Sequence, residues 1–88
     1  MITVTSIRKT CNACPSQWEG TIDDGRVIYA RYRWGTLTIV LGKTLGEALR
    51  SPHIYEADLG DDLDGLLSYD QLKHHTARFI RWPEREEQ

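Results

Sequence analysis

The sequence is short of most features that would place it in a familiar class. It has two cysteines, three prolines, one methionine and one phenylalanine among 88 residues. The cysteines, Cys11 and Cys14, form one close pair, too few for a disulfide-stapled scaffold. No apolar run approaches the roughly 20 residues of a membrane-spanning helix. The opening residues, Met1-Ile2-Thr3-Val4-Thr5-Ser6-Ile7-Arg8, lack the charged start and long apolar stretch of a secretory signal, so the expected location is the cytoplasm. There is no nucleophile elbow, phosphate-binding glycine loop or zinc-protease motif, and no internal repeat. An enzyme is therefore not the leading expectation.

What the chain does have is a globular balance of residues, 40% apolar and 27% charged, in a length that allows one domain. A domain of this size buries only about 60 to 65% of the surface of its unfolded chain. Each of the three Trp, four Tyr and one Phe is therefore needed for packing or else has another use. The net charge of −2 conceals an asymmetry: residues 1–50 carry seven basic and four acidic residues, a net of +3, and residues 51–88 carry four and nine, a net of −5. The expected molecule has a basic N-terminal sheet and an acidic C-terminal half.

Apolar alternation predicts strands in the first half. Ile2, Val4 and Ser6 alternate with Thr3, Thr5 and Ile7. Asp23-Asp24-Gly25 suits a three-residue hairpin loop with Gly in the left-handed position, which pairs Ile22 with Arg26, Gly20 with Ile28 and Trp18 with Ala30. Gly35-Thr36 suits a two-residue type II′ turn, pairing Trp34 with Leu37, Tyr32 with Ile39 and Ala30 with Leu41. Both registers gather Trp18, Ile22, Ile28, Ala30, Tyr32, Trp34, Leu37, Ile39 and Leu41 on one face, the expected core. Gln17, Glu19, Thr21, Val27, Tyr29, Arg31, Arg33, Thr38 and Val40 fall on the other.

Beyond residue 43, Thr44-x-x-Glu47 opens a short helix over 44–50, and 54–59 alternates weakly as a further strand. Ser68-x-x-Gln71 opens a helix over 69–80 whose apolar stripe is Tyr69, Leu72, Thr76, Phe79 and Ile80. The expected fold is a single α+β domain over 1–83: an antiparallel meander of four to five strands with the C-terminal helix on one face and a second short helix. Residues 84–88 are expected to form a frayed, charged tail.

Three groups of residues could carry chemistry. Cys11-x-x-Cys14-Pro15 is half a zinc site at best, with His53, His74, His75 or carboxylates as the remaining ligands; a strand rather than a helix follows, which disfavours redox use. Its plainer reading is a tight loop with two small packed thiols, so no metal or other cofactor is expected. Glu56, Asp58, Asp61, Asp62 and Asp64 lack the spacing of a calcium-binding loop. They form either a solvated loop or an acidic protein-contact surface.

The third group is Glu19, Tyr29, Arg31 and Arg33 on the face opposite the core, with Arg26 at the hairpin tip and Trp34, a core-face residue, close to the sheet's end. Guanidinium groups clamp phosphate bidentately and aromatic rings stack on bases, so the set suits a phosphorylated, nucleotide-type ligand. In that assignment Arg31 and Arg33 contact phosphate, Tyr29 and Trp34 stack, and Glu19 orients an arginine. The plainer reading is a cross-strand ion pair between Glu19 and Arg31.

The segment Cys11-Asn12-Ala13-Cys14-Pro15-Ser16-Gln17-Trp18-Glu19-Gly20, with Asp24-Gly25-Arg26 and Arg31-Tyr32-Arg33-Trp34-Gly35, resembles short uncharacterised proteins of bacteria and their phages. The likeness covers roughly residues 8–42 and implies a cellular setting without transferring an activity. In that setting two functions are expected. One is capture of a nucleotide-type host defence signal by a non-catalytic binding protein, whose pocket forms between subunits of a homo-oligomer. The other is inhibition of a host immune effector protein docked on the acidic 56–64 segment.

Overall fold

A computed structural model describes residues 1–11, 16–59 and 67–87. It comprises strands Ile2–Cys11 (β1), Ser16–Ile22 (β2), Val27–Arg33 (β3), Thr36–Gly42 (β4), Tyr55–Asp58 (β5) and Ile80–Arg81 (β6), with helices Leu45–Arg50 (α1) and Tyr69–Thr76 (α2). The six strands form one sheet in the order β5-β4-β3-β2-β1-β6. All neighbours are antiparallel except β1 and β6. The α+β class is as expected, with one strand more than the sequence suggests.

The β2–β3 hairpin follows its loop chemistry. Ile22 N–H donates to Arg26 O at 2.9 Å and Gly25 N–H to Ile22 O at 3.0 Å, with Gly25 at φ +91°. Trp18 then faces Ala30 and Gly20 faces Ile28, as the loop length requires.

The β3–β4 turn differs from its expectation. Trp34 and Gly35 are the two turn residues, at φ +55° and +78°. Positive φ at both central positions is the pattern of a type I′ turn rather than II′. Tyr32 pairs with Leu37, Ala30 with Ile39 and Ile28 with Leu41, a slip of two residues that preserves which side chains face inward. The expected register would have drawn Thr44 into the ladder opposite Val27. Instead Gly42 ends it there, and the Thr44 hydroxyl is free to accept Glu47 N–H at 3.1 Å and cap α1.

β1 runs on to Cys11, beyond its opening alternation, and bulges interrupt its period. Val4 pairs with Ile22 and Ser6 with Thr21, leaving Thr5 as the extra residue. Val4 and Ile7, an odd number of positions apart, are therefore both buried.

The sheet curls until its edges meet. Tyr55 of β5 and Phe79, just before β6, lie with ring centroids 4.9 Å apart. The inward face thus encloses a core of Trp18, Ile28, Tyr32, Leu37 and Ile39, to which α2 adds Tyr69 and Leu72. The Ser68 capping box forms in full, Gln71 N–H donating to Ser68 Oγ and Ser68 N–H to Gln71 Oε1. α2 ends at Thr76 rather than residue 80, and Ile80 reaches the core from β6. Pairing of Ile80 and Arg81 with Ile2 and Thr3 satisfies backbone groups that a continuing helix would have used internally. α1 packs on the outward face, where Gly42 lies directly under Ala48 and Val40 is buried.

The tail does not fray over its described residues. Glu87 N–H donates to Ile7 O at 2.7 Å, and the indole N–H of Trp18 donates to Glu86 Oε2 at 2.7 Å. Lys73 Nζ donates to Glu84 O and Tyr69 Oη to Pro83 O. The strap over 83–87 thus closes one end of the curled sheet.

Tyr69 makes that closure sensitive to alkali. Burial, and then the nearby Glu86 and Asp70 carboxylates, push its phenol up to about 12, above the ordinary value near 10. Because the folded value is the higher one, this contribution is complete below pH 10 and is lost as pH rises through about 12. Unfolding followed by tryptophan emission should steepen in that window, and Tyr69→Phe should flatten it. An identical alkaline profile in the variant would assign the loss elsewhere.

Candidate functional site

On the outward face the ladder sets side chains in transverse rows. Arg33 pairs with Thr36, which pairs with Asp58; Arg31 lies between Gln17 and Thr38, and Thr38 pairs with Glu56; Tyr29 lies between Glu19 and Val40. Over the first two rows opens a cleft of about 340 Å³ lined by Arg31, Arg33, Trp34, Thr36, Thr38 and His53.

Trp34 is where the structure departs most from the sequence. It belongs to no core: the type I′ turn leaves it 56% exposed, with the Arg33 guanidinium 5.5 Å from its ring centroid. Trp18 and Trp82 are both buried. A left-handed conformation costs a β-carbon-bearing residue roughly 1–2 kcal/mol, so the turn would be easier to form with Gly or Asn at this position. A strained, exposed indole beside an arginine is the kind of outlier that points to use.

Arg31 is half-buried, and its Nε is inaccessible to solvent without a hydrogen-bond partner among the described residues. Neither Arg31 nor Arg33 forms an ion pair within the described residues. The Glu19–Arg31 pair expected from the sequence is therefore not formed. Thr36 Oγ1 donates to Asp58 Oδ1 at 2.7 Å. The Thr38 hydroxyl lies 3.5 Å from Arg31 O, at the limit of a hydrogen bond.

His53 is a cleft residue that sequence reasoning considered only as a metal ligand. Its Nδ1 lies 2.8 Å from Glu56 Oε1. A carboxylate can only accept, so Nδ1 carries the hydrogen, which leaves Nε2 to accept from a ligand or, when protonated, to donate. The His-x-x-Glu spacing of His53 and Glu56 is the one signal that could have suggested this pairing.

The remaining sequence-predicted residues do not join the cleft. Tyr29 is next to Arg31 on the same strand face, but half-buried toward Val40. Burial raises its phenol above the usual range, opposed by Arg31 and reinforced by Glu19 and Cys11. Glu19 lines a separate depression of about 210 Å³ with Ser6, Arg8, Thr21 and Glu87. Arg26, at the far hairpin tip, is bound to Asp24 at 2.8 Å, seven strand positions or roughly 23 Å from Arg33. Asp24 is held below the carboxylate range chiefly by the Arg26 backbone N–H.

Glu56 and Asp58 are exposed on the edge strand β5, while Asp61, Asp62 and Asp64 lie outside the described residues. Cys11 pairs with Gln17 on the outward face, and Cys14 lies outside the described residues. His74 and His75 are exposed on α2 with ring centroids 5.5 Å apart. Among the described residues no group of three metal-ligating side chains converges, and no helix is long and apolar enough to cross a membrane.

Compared with known proteins, the chain matches no family model, no curated protein and no solved structure.

Proposed function

We propose that this protein binds, without altering it, a phosphorylated nucleotide-type ligand in the cleft formed by β3, β4 and the loop carrying His53. The observation that carries the reading is the pair of guanidinium groups of Arg31 and Arg33, neither of them ion-paired among the described residues, in a cleft shared with the exposed Trp34. Their N–H groups are donors for a phosphate, and the Trp34 ring offers a stacking platform. Arg26 and Glu19 have no part in it, and Tyr29 borders the arginines without lining the cleft. In the setting implied by the resemblance, capture of such a ligand would sequester a host defence signal.

Titration with a panel of nucleoside mono-, di- and triphosphates and cyclic dinucleotides tests this, read by calorimetry and by the emission of Trp34, the exposed indole. At least one member should bind and quench. Reversal of both cations in Arg31→Glu/Arg33→Glu removes charge-assisted bonds of about 1.5–3 kcal/mol each, so affinity should fall by about 100-fold or more. Trp34→Gly should relieve the turn and still lose about 1–3 kcal/mol of stacking. A panel that gives neither heat nor quenching overturns the proposal, as does binding that survives the double reversal.

A further inference from the structure

We propose that a second copy of this chain docks across the seam where the two sheet edges meet, in a two-fold arrangement held by opposite charges. The seam is the Tyr55–Phe79 contact, and both rings are only partly buried. On one side of it lies β5 with exposed Glu56 and Asp58. On the other lie Arg78, adjacent to Phe79 in the chain, and Arg81 of β6, both exposed. Neither arginine forms an ion pair among the described residues, and Asp58 is met by the Thr36 hydroxyl rather than a cation. From residue 71 to residue 83 the chain carries Lys73, Arg78 and Arg81 and no acid, so the basic strip persists within a half of the chain that is acidic overall.

Two adjacent strips of opposite sign are self-complementary. A two-fold axis through the line between them sets each acidic strip on the partner's basic one, twice over. The half-buried Tyr55 and Phe79, with Ile54, which is 43% exposed, then supply an apolar centre within a charged rim, the common anatomy of an interface.

The arrangement also bears on the cleft. Arg31 and Arg33 are each two strands, roughly 10 Å, from Glu56 and Asp58 in their rows. Unneutralised, those carboxylates would repel a phosphate held by the arginines. The partner's Arg78 and the partner's Arg81 would cancel that repulsion and wall the open side of the cleft. Only this consequence rests on the nucleotide reading; the dimer itself does not.

Sedimentation velocity on the full chain tests the contact. The wild type should be dimeric at low salt and dissociate as salt rises. Asp58→Arg and Arg78→Glu each create like-charge contacts at both copies of the interface, and should each weaken dimerisation by at least about 30-fold with an unchanged circular dichroism spectrum. Mixed together, the two variants restore an attractive pair at both contacts and should form a heterodimer. The double variant Asp58→Arg/Arg78→Glu should dimerise alone. A wild type monomeric at every salt concentration overturns the proposal, as does a mixture that stays monomeric. A monomeric Arg78→Glu variant that still binds nucleotide, more weakly, separates a failure of the dimer from a failure of the cleft.

Discussion

Deletion of residues 84–88 is expected to lower the unfolding free energy by about 2–4 kcal/mol, enough to leave part of the population unfolded in a domain whose total is only a few kcal/mol. Trp18 is the largest fully buried side chain, and its indole N–H has one polar partner, the Glu86 carboxylate at 2.7 Å. A hydrogen bond to a charged group contributes about 1.5–3 kcal/mol, and breaking it by removing the acceptor leaves a buried donor unsatisfied. The deletion also frees Ile7 O from Glu87 N–H and opens that end of the core. Urea denaturation monitored by tryptophan emission measures the loss. Glu86→Ala should reproduce most of it, whereas Glu86→Gln keeps an acceptor oxygen and should cost less than half as much. A Glu86→Ala protein as stable as the wild type would show that the strap is not what holds Trp18.

The strap illustrates what the sequence could and could not reveal. A run of Glu and Arg after a proline has the composition of a solvated terminus, and nothing in its pattern records that one carboxylate meets an indole 68 positions away. Local chemistry was legible where a few residues determine the outcome. Asp23-Asp24-Gly25 set the β2–β3 register, and Ser68 with Gln71 set the start of α2. Where two local solutions competed, the sequence left the choice open. Trp34-Gly35 and Gly35-Thr36 both make two-residue turns, and the choice fell to the one that releases Thr44 to cap α1. That choice also turned Trp34 from a core residue into an exposed one. Within the candidate site, alternation was enough to place Arg31 and Arg33 together on the outward face. It could not show that Glu19 and Arg26 stand apart from them, because distance across rows and along a strand depends on where the cleft opens. His53 enters from a loop, where no period applies.

Gly20→Ala should be among the most damaging single substitutions in the protein, costing about 3 kcal/mol or more. Gly20 does not have a positive φ, so backbone freedom is not the reason. The reason is space: a β-carbon there would lie 2.0 Å from Ser6 O and 2.9 Å from Ile7 Cα. Both obstacles are backbone atoms of β1, immediately after the bulge at Thr5, and cannot rotate aside as a side chain would. Relief requires β1 to move away from β2, which breaks the ladder from Ser6 to Lys9 and loosens Val4 and Ile7 in the core. The same chemical change at Gly46 provides the control. Nothing lies nearer than 4.0 Å to its added carbon, and within α1 alanine exceeds glycine in helix propensity by about 0.8–1 kcal/mol. Gly46→Ala should therefore raise the urea midpoint while Gly20→Ala lowers it. Equal effects of one sign would show that glycine content, rather than the close approach of β1 to β2, governs stability. Arg31 and Arg33 lie across β2 from this contact, so any Gly20→Ala protein that remains folded should keep the ligand affinity of the wild type. Loss of affinity in that folded fraction would mean the cleft depends on the β1–β2 ladder for its shape.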